Sequence, residues 1–171
     1  MTSAEFILGL VTLQRAGELV LSHFNTRHLL ARGAVEVTPR HYPLMVAVHA
    51  AWLIALWAFG PDRPINITAL LLYLALQLLR FWVMRTLGAR WTTGIIVLPG
   101  QKLVSAGPYR YLSHPNYAVV IGEIAVLPLV LGLPWLAVIF TILNAAVLTI
   151  RIRAENRALA GLRGITARAA P

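Results

Sequence analysis

Residues 67–87 read ITALLLYLALQLLRFWVMRTL, a stretch dominated by leucine and other apolar side chains. A helix rising 1.5 Å per residue needs about 20 such residues to cross a hydrocarbon core of about 30 Å, so this stretch reads as a membrane span. Three further runs approach that length: Leu44–Gly60, Tyr117–Leu131 and Leu136–Ile150. A fifth, Phe6–Leu21, is interrupted by Gln14, Arg15 and Glu18. Those three lie close enough along a helix to share a face turned toward the other helices. The run reads as a first spanning helix, with an interfacial helix lying on the bilayer as the alternative. Only Gly132-Leu133-Pro134 separates the last two runs, so they form a tight helical hairpin with short arms, the first bent at Pro128. The expected fold class is therefore all-α: a polytopic membrane protein of about five transmembrane helices.

Composition agrees. The chain has 171 residues, 58% apolar and 12% charged, with a mean hydropathy of +0.72. Soluble domains carry about 25% charged residues, so this chain has too little polar surface to face water all round. The net charge of +9 does not mark a nucleic-acid-binding protein, because the cations lie between apolar runs and not in one patch. There is no cysteine, which excludes disulfides, thiolate metal sites and a cysteine nucleophile, and no metal site is expected. All but one of the cations are arginine, a composition associated with GC-rich bacterial genomes. Met1–Glu5 lacks a basic leader, so no cleavable signal is expected. With the first helix running outside to inside, one side receives Arg27, Arg32, Arg40, Arg85, Arg90, Lys102, Arg110 and the arginines of the tail, while the other receives only Arg63. The positive-inside asymmetry thus places loops 23–43 and 88–116 and the tail in the cytoplasm of a bacterial inner membrane. Residues 1–171 read as a single domain.

The polar information is concentrated in two places. The loop from Leu87 to Asn116 is long for a compact protein and carries turn signals at Pro99-Gly100 and Gly107-Pro108. It ends in His114-Pro115-Asn116 directly before an apolar run, so Pro115 suits the first turn of the fourth helix, whose free amides offer a site for an anionic group. As a plain interfacial strap, the same loop would hold Tyr109, Tyr111 and Tyr117 as aromatic-belt residues. The second place is the tail, Arg151-Ile152-Arg153-Ala154-Glu155-Asn156. Arg151 and Glu155 share a face if the fifth helix continues, in the less favourable order for a mutual pair. The plain alternative is a solvated, snorkelling helix end, which suffices for Arg157, Arg163 and Arg168.

Together, Gly107-Pro108-Tyr109-Arg110-Tyr111-Leu112-Ser113-His114-Pro115-Asn116-Tyr117, a helical hairpin, and Arg151-Ile152-x-x-Glu155 resemble the isoprenylcysteine carboxyl methyltransferase family, integral-membrane enzymes that use S-adenosylmethionine. The match covers residues 87–160. Ser113 stands where the family has Arg, with Arg110 near enough to take over its role, and Asn156 stands where it has a second Glu. In the first half, Gln14-Arg15-Ala16-Gly17-Glu18-Leu19, Asn25 and His41-Tyr42-Pro43 look like bacterial members that methylate long-chain alkylpyrones.

The resemblance implies cofactor contacts at Gln101, Lys102, Leu103, Val104, Tyr109, His114, Pro115, Asn116, Tyr117 and Glu155, in a pocket on the cytoplasmic side. The tyrosines would offer ring faces to the adenine and the cation, and His114 with the helix start would meet the methionine carboxylate. Arg151 takes the acceptor position, where a guanidinium holds a carboxylate or enolate in a planar fork and helps keep it ionised. The expected reaction is O-methyl transfer to a carboxylate or acidic enol or phenol of a lipophilic acceptor, prenylcysteine-like or alkylpyrone-like, with membrane lipids as the other partner. Glu18 and Glu123 are intramembrane acids, each either functional or a structural partner, Glu123 for Arg15. Competing readings are a phospholipid amine N-methyltransferase, disfavoured by a cation beside an amine nucleophile, an NADPH-dependent reductase, and a non-catalytic scaffold or channel. The whole reading requires the 88–116 strap and the Arg151/Glu155 step to fold over one shared cavity at the inner leaflet.

Overall fold

The computed structural model describes the backbone of residues 1–37, 42–101 and 104–168, and their side chains apart from Val37 and those beyond residue 153. Five α-helices make up its frame: α1 (Ser3–Ala31), α2 (Tyr42–Phe59), α3 (Ile67–Leu87), α4 (Pro115–Val130) and α5 (Pro134–Arg168). Two short strands, β1 (Val35–Val37) and β2 (Ile95–Val97), pair antiparallel with Glu36 opposite Ile96. The chain is mostly helical, with this ribbon as the departure from an all-α reading. The long loop is not structureless: it contains β2 and two 3-10 turns, Gly88–Arg90 and Gly107–Arg110.

Helix starts and stops follow local chemistry. Thr2 caps α1 in a reciprocal pair with Glu5, and the Asn66 side chain caps α3 through the amide of Ala69 at 3.1 Å. Pro115 occupies the first turn of α4, as its missing N–H allows. The turn between α4 and α5 runs through Gly132 at φ +64°.

By length and composition, α2, α3 (taken on to Arg90) and Pro134–Arg153 of α5 are apolar and long enough to cross a membrane. Helix α4, at 16 residues, is shorter. The apolar run Phe6–Leu21 is only the middle of a 29-residue α1, which at 1.5 Å per residue extends about 44 Å. The second arm of the hairpin is likewise no short helix, since α5 continues for 35 residues. Leucines such as Leu71, Leu72 and Leu78 on α3 lie exposed, as side chains do that meet lipid instead of water.

Helix α4 packs between α3 and α5, and α2 packs on α5. Leu8, Trp52, Leu56, Ile124, Leu127, Leu131, Leu136 and Phe140 fill the core between them. Close approach of α3 to α4 occurs at Gly122, where a Cβ would lie 2.8 Å from the Leu76 side chain. A smaller cluster of Val83, Trp91 and Val119, flanked by Tyr109, pins the loop to the end of the bundle.

Candidate active site

The strap between α3 and α4 is fixed by its own side chains. Trp91 is buried, and its carbonyl accepts from Asn25 Nδ2 of α1 at 2.8 Å. Two residues on, the Thr93 amide donates to Ser22 Oγ at 2.8 Å, while its hydroxyl contacts Ser22 Oγ at 2.9 Å and Tyr42 Oη at 3.2 Å. The Gly107–Arg110 turn lies against α3. A Cβ on Gly107, which sits at φ +56°, would come within 2.5 Å of Thr86 Oγ1, so both the backbone angle and the contact call for glycine.

Arg151 of α5 reaches into this arrangement and is itself buried. Its Nε donates to Tyr117 Oη at 3.0 Å and its NH2 to the Thr93 carbonyl at 2.7 Å, while NH1 lies 3.1 Å from Met45 Sδ on α2. The guanidinium carbon lies 5.5 Å from the centre of the Tyr117 ring, within cation–π range. On the start of α4, the His114 and Tyr117 rings stack at 5.2 Å with 19° between their planes. The α5 step and the strap therefore meet at Arg151. Among the described residues, Arg151 has no carboxylate partner.

The expected site residues divide. His114, Pro115, Asn116 and Tyr117 gather at the start of α4, next to Arg151. Among the described residues Asn116 Oδ1 is buried without a hydrogen-bond donor, and a buried acceptor in that condition calls for a ligand or a water. Tyr109 is half-buried against the Trp91 cluster. Gln101, with its amide oxygen turned to the guanidinium, accepts from Arg90 Nε and NH2 at 3.1 and 2.7 Å. Val104 is half-buried, while Lys102, Leu103 and the side chain of Glu155 lie outside the described residues. The Tyr117 ring stacks on His114 and lies beside Arg151, and its hydroxyl accepts from that guanidinium.

A second polar cluster sits deeper in the bundle. Arg80 of α3 donates from Nε and NH2 to the two oxygens of Glu18, both at 2.5 Å, and from NH1 to Glu123 Oε2 at 2.7 Å. Arg15 bridges the same acids at 3.0 and 3.1 Å. Gln77 donates to Glu123 at 2.7 Å, and Gln14 to Glu18 and Gln77 at 3.0 and 2.8 Å. Glu18 and Glu123 both have arginine partners, and Arg15 is a partner of both. A groove of about 310 Å³ opens onto this layer between α1 and α3, lined by Gln14, Glu18, Gln77 and Arg80 together with Leu21, Phe81 and Met84.

Sequence reasoning missed Arg80, although a lone arginine inside an apolar run is itself a demand for a buried anion. It also missed Thr93, Ser22 and Met45. Thr93 and Met45 hold Arg151 through a backbone carbonyl and a thioether, which carry no sequence signature.

The model of the isoprenylcysteine carboxyl methyltransferase family matches residues 69–161, more than half of the chain. The chain is 37% identical over 160 residues to the uncharacterized protein YpbQ of Bacillus subtilis, covering 90% of this chain and 94% of that protein. It is 26% identical over 153 residues to an uncharacterized protein of Haemophilus influenzae, covering 84% and 87% of the two. No solved structure matches. The matched span takes in α4, nearly all of α3, the strap and the Arg151 step, so the geometry and the comparison point to the same residues: the chain belongs to the isoprenylcysteine carboxyl methyltransferase family and is a membrane methyltransferase.

Proposed function

We propose that this single-domain protein transfers a methyl group from S-adenosylmethionine to an acidic oxygen, carboxylate or enol or phenol hydroxyl, of a lipophilic acceptor. The observation that carries the reading is Arg151: a buried guanidinium without a carboxylate partner among the described residues, held at the junction of α2, α4, α5 and the strap. Burying a cation is costly unless an anion compensates it, and the oxyanion of the acceptor, present on arrival or formed in the site, supplies a compensation that the described residues do not. Tyr117, Thr93 and Met45 take one direction each and leave further N–H bonds of NH1 and NH2 to form the fork.

The donor fits the start of α4. Asn116 Oδ1, buried and unpartnered among the described residues, suits the donor's ammonium group, and the His114 ring suits its carboxylate. When bound, the donor supplies an electrophilic methyl on sulfur, and the protein's task is to hold the acceptor oxygen in line with it at about 3–3.5 Å. Tyr109, Gln101, Lys102, Leu103, Val104 and Glu155 complete the proposed donor site. The apolar acceptor tail enters from the bilayer, while the donor enters from the cytoplasmic side, on which the arginine asymmetry puts the strap.

Calorimetry of the purified protein in detergent tests the first half of this reading. S-adenosylmethionine or its demethylated product binds, and His114→Ala and Glu155→Ala weaken it; absence of binding by either ligand overturns the assignment. Arg151→Ala is expected to lower turnover of a labelled-donor assay by about a hundred- to a thousand-fold, the range for losing a donor to a developing or resident oxyanion, with donor affinity largely kept. Equal loss of both removes Arg151 from the acceptor role.

A further inference from the structure

His49 lies within the apolar span of α2, and the reading above leaves it without a role. It lies on α2, four residues after Met45 and three before Trp52, within the stripe of Met45, Val48, Trp52 and Leu56 that faces the interior. Its Nδ1 lies 2.8 Å from the Met45 carbonyl oxygen. A carbonyl can only accept, so Nδ1 carries the hydrogen and Nε2 is the bare, basic nitrogen of the neutral ring. Met45 is also the residue whose sulfur touches Arg151 NH1. Residues four apart on a helix have Cβ atoms about 5–6 Å apart on one face, so His49 shares a face of α2 with the Met45 side chain that touches Arg151. Three guanidiniums bear on it electrostatically: Arg15 from α1, Arg80 from α3 and Arg151 from α5. The first two are bound to Glu18 and Glu123.

Resting on the methyl-transfer reading, we infer that His49 is the general base of the reaction, taking the proton of an acceptor hydroxyl held by Arg151. The acceptor O–H bond breaks as Nε2–H forms. The freed oxygen pair attacks the methyl carbon of the sulfonium donor, forming O–CH3, and the pair of the breaking C–S bond goes to sulfur, which leaves as a neutral thioether. The imidazolium returns its proton to water on product release. A base is needed only for an acceptor that arrives protonated, so this role selects a weakly acidic enol or phenol over a carboxylate, which is already ionised at neutral pH.

His49→Asn is the discriminating variant, because its amide can still donate to the Met45 carbonyl but offers no basic nitrogen. Turnover of a long-chain alkylphenol should fall about a hundred-fold or more, the usual contribution of a general base, with the affinity for S-adenosylmethionine unchanged. The ratio of variant to wild-type turnover should recover toward one on a chain-matched dinitrophenol, which is ionised without help. In the wild-type protein, nitrogen-15 NMR of the labelled His49 ring should show Nδ1 protonated and Nε2 bare. A variant that keeps more than a third of the alkylphenol turnover, equal losses on both phenols, or a proton on Nε2 would each overturn the role. Wild-type protein that binds the donor but methylates neither phenol overturns it as well, while leaving donor binding intact; failure of donor binding sinks the methyltransferase reading itself.

Discussion

In the layer between α1, α3 and α4, two arginines meet two glutamates, and each carboxylate oxygen accepts at least one hydrogen bond. At the strap end, by contrast, Arg151 is held by a phenol, a carbonyl and a thioether, and Asn116 keeps a buried acceptor unpartnered. Both clusters are polar and both are buried. The first matches two cations with two anions and ties three helices together, with Arg15 Nε left unpartnered; the second, among the described residues, has no anion for Arg151 and no donor for Asn116 Oδ1. Incompleteness is the property that a binding site needs and a structural network avoids, because an unmet buried polar group is a standing cost that only a ligand removes.

The largest effect that separates the two regions is on stability. Arg80→Leu strands Glu18 and Glu123 with only Arg15 to share, and breaking a buried pair from one side costs about 3–5 kcal/mol. Unfolding in mixed micelles measures it. Adding Glu18→Leu to the same chain should recover more than half of the loss, because Arg15 and Glu123 then remain as a matched pair. If Arg80→Leu leaves stability unchanged and removes donor binding instead, the layer belongs to the active site and the contrast fails.

Asn116→Leu comes next, and its sign is opposite in the two readouts. Removing a buried acceptor that lacks a donor should leave the unliganded protein as stable as before, or slightly more so. Affinity for the methyl donor should fall about 10- to 100-fold, the equivalent of one hydrogen bond to a charged group at about 1.5–3 kcal/mol. Calorimetry and thermal unfolding on one preparation read both. A variant that unfolds easily yet binds normally would make Asn116 a structural residue like those of the layer.

How legible this was in the sequence depended on what each residue touches. The bounds of α3 coincide with the apolar run Ile67–Leu87, and Pro115 and Gly132-Leu133-Pro134 marked the start of α4 and the turn after it, because proline and glycine act on their own backbone. The ends of α1 and α5 were not legible. Hydropathy reports where a helix meets lipid, whereas the helix itself is held by backbone hydrogen bonds that run on through His23, Arg27 and His28 in α1. The arginine at 151 was visible as a candidate, but its holders were not. Thr93 acts through a main-chain carbonyl, and Met45 is brought near only by the packing of α2 on α5. Partner choice inside a bundle is a property of the packing, which is why Glu123 could be paired on paper with Arg15 and yet turn out to share Arg80 as well.

Tyr117→Phe is the mildest and sharpest probe of the difference. The substitution keeps the ring that stacks on His114 and lies beside Arg151, and removes only the oxygen that accepts from Arg151 Nε. One hydrogen bond of this kind contributes about 0.5–1.5 kcal/mol, so stability should change by no more than that. Arg151 would still be held by the Thr93 carbonyl, but its plane would be free to turn about that single strong contact, and a fork must be aimed to bind two acceptor oxygens or one oxygen in line with a methyl group. The expected outcome is a loss of turnover of about three- to ten-fold at subsaturating acceptor, with donor affinity unchanged. A stability loss near that of Arg80→Leu would instead mean that Tyr117 and Arg151 form a second structural tie, and the separation between a charge-matched layer and a ligand-ready end would have to be abandoned.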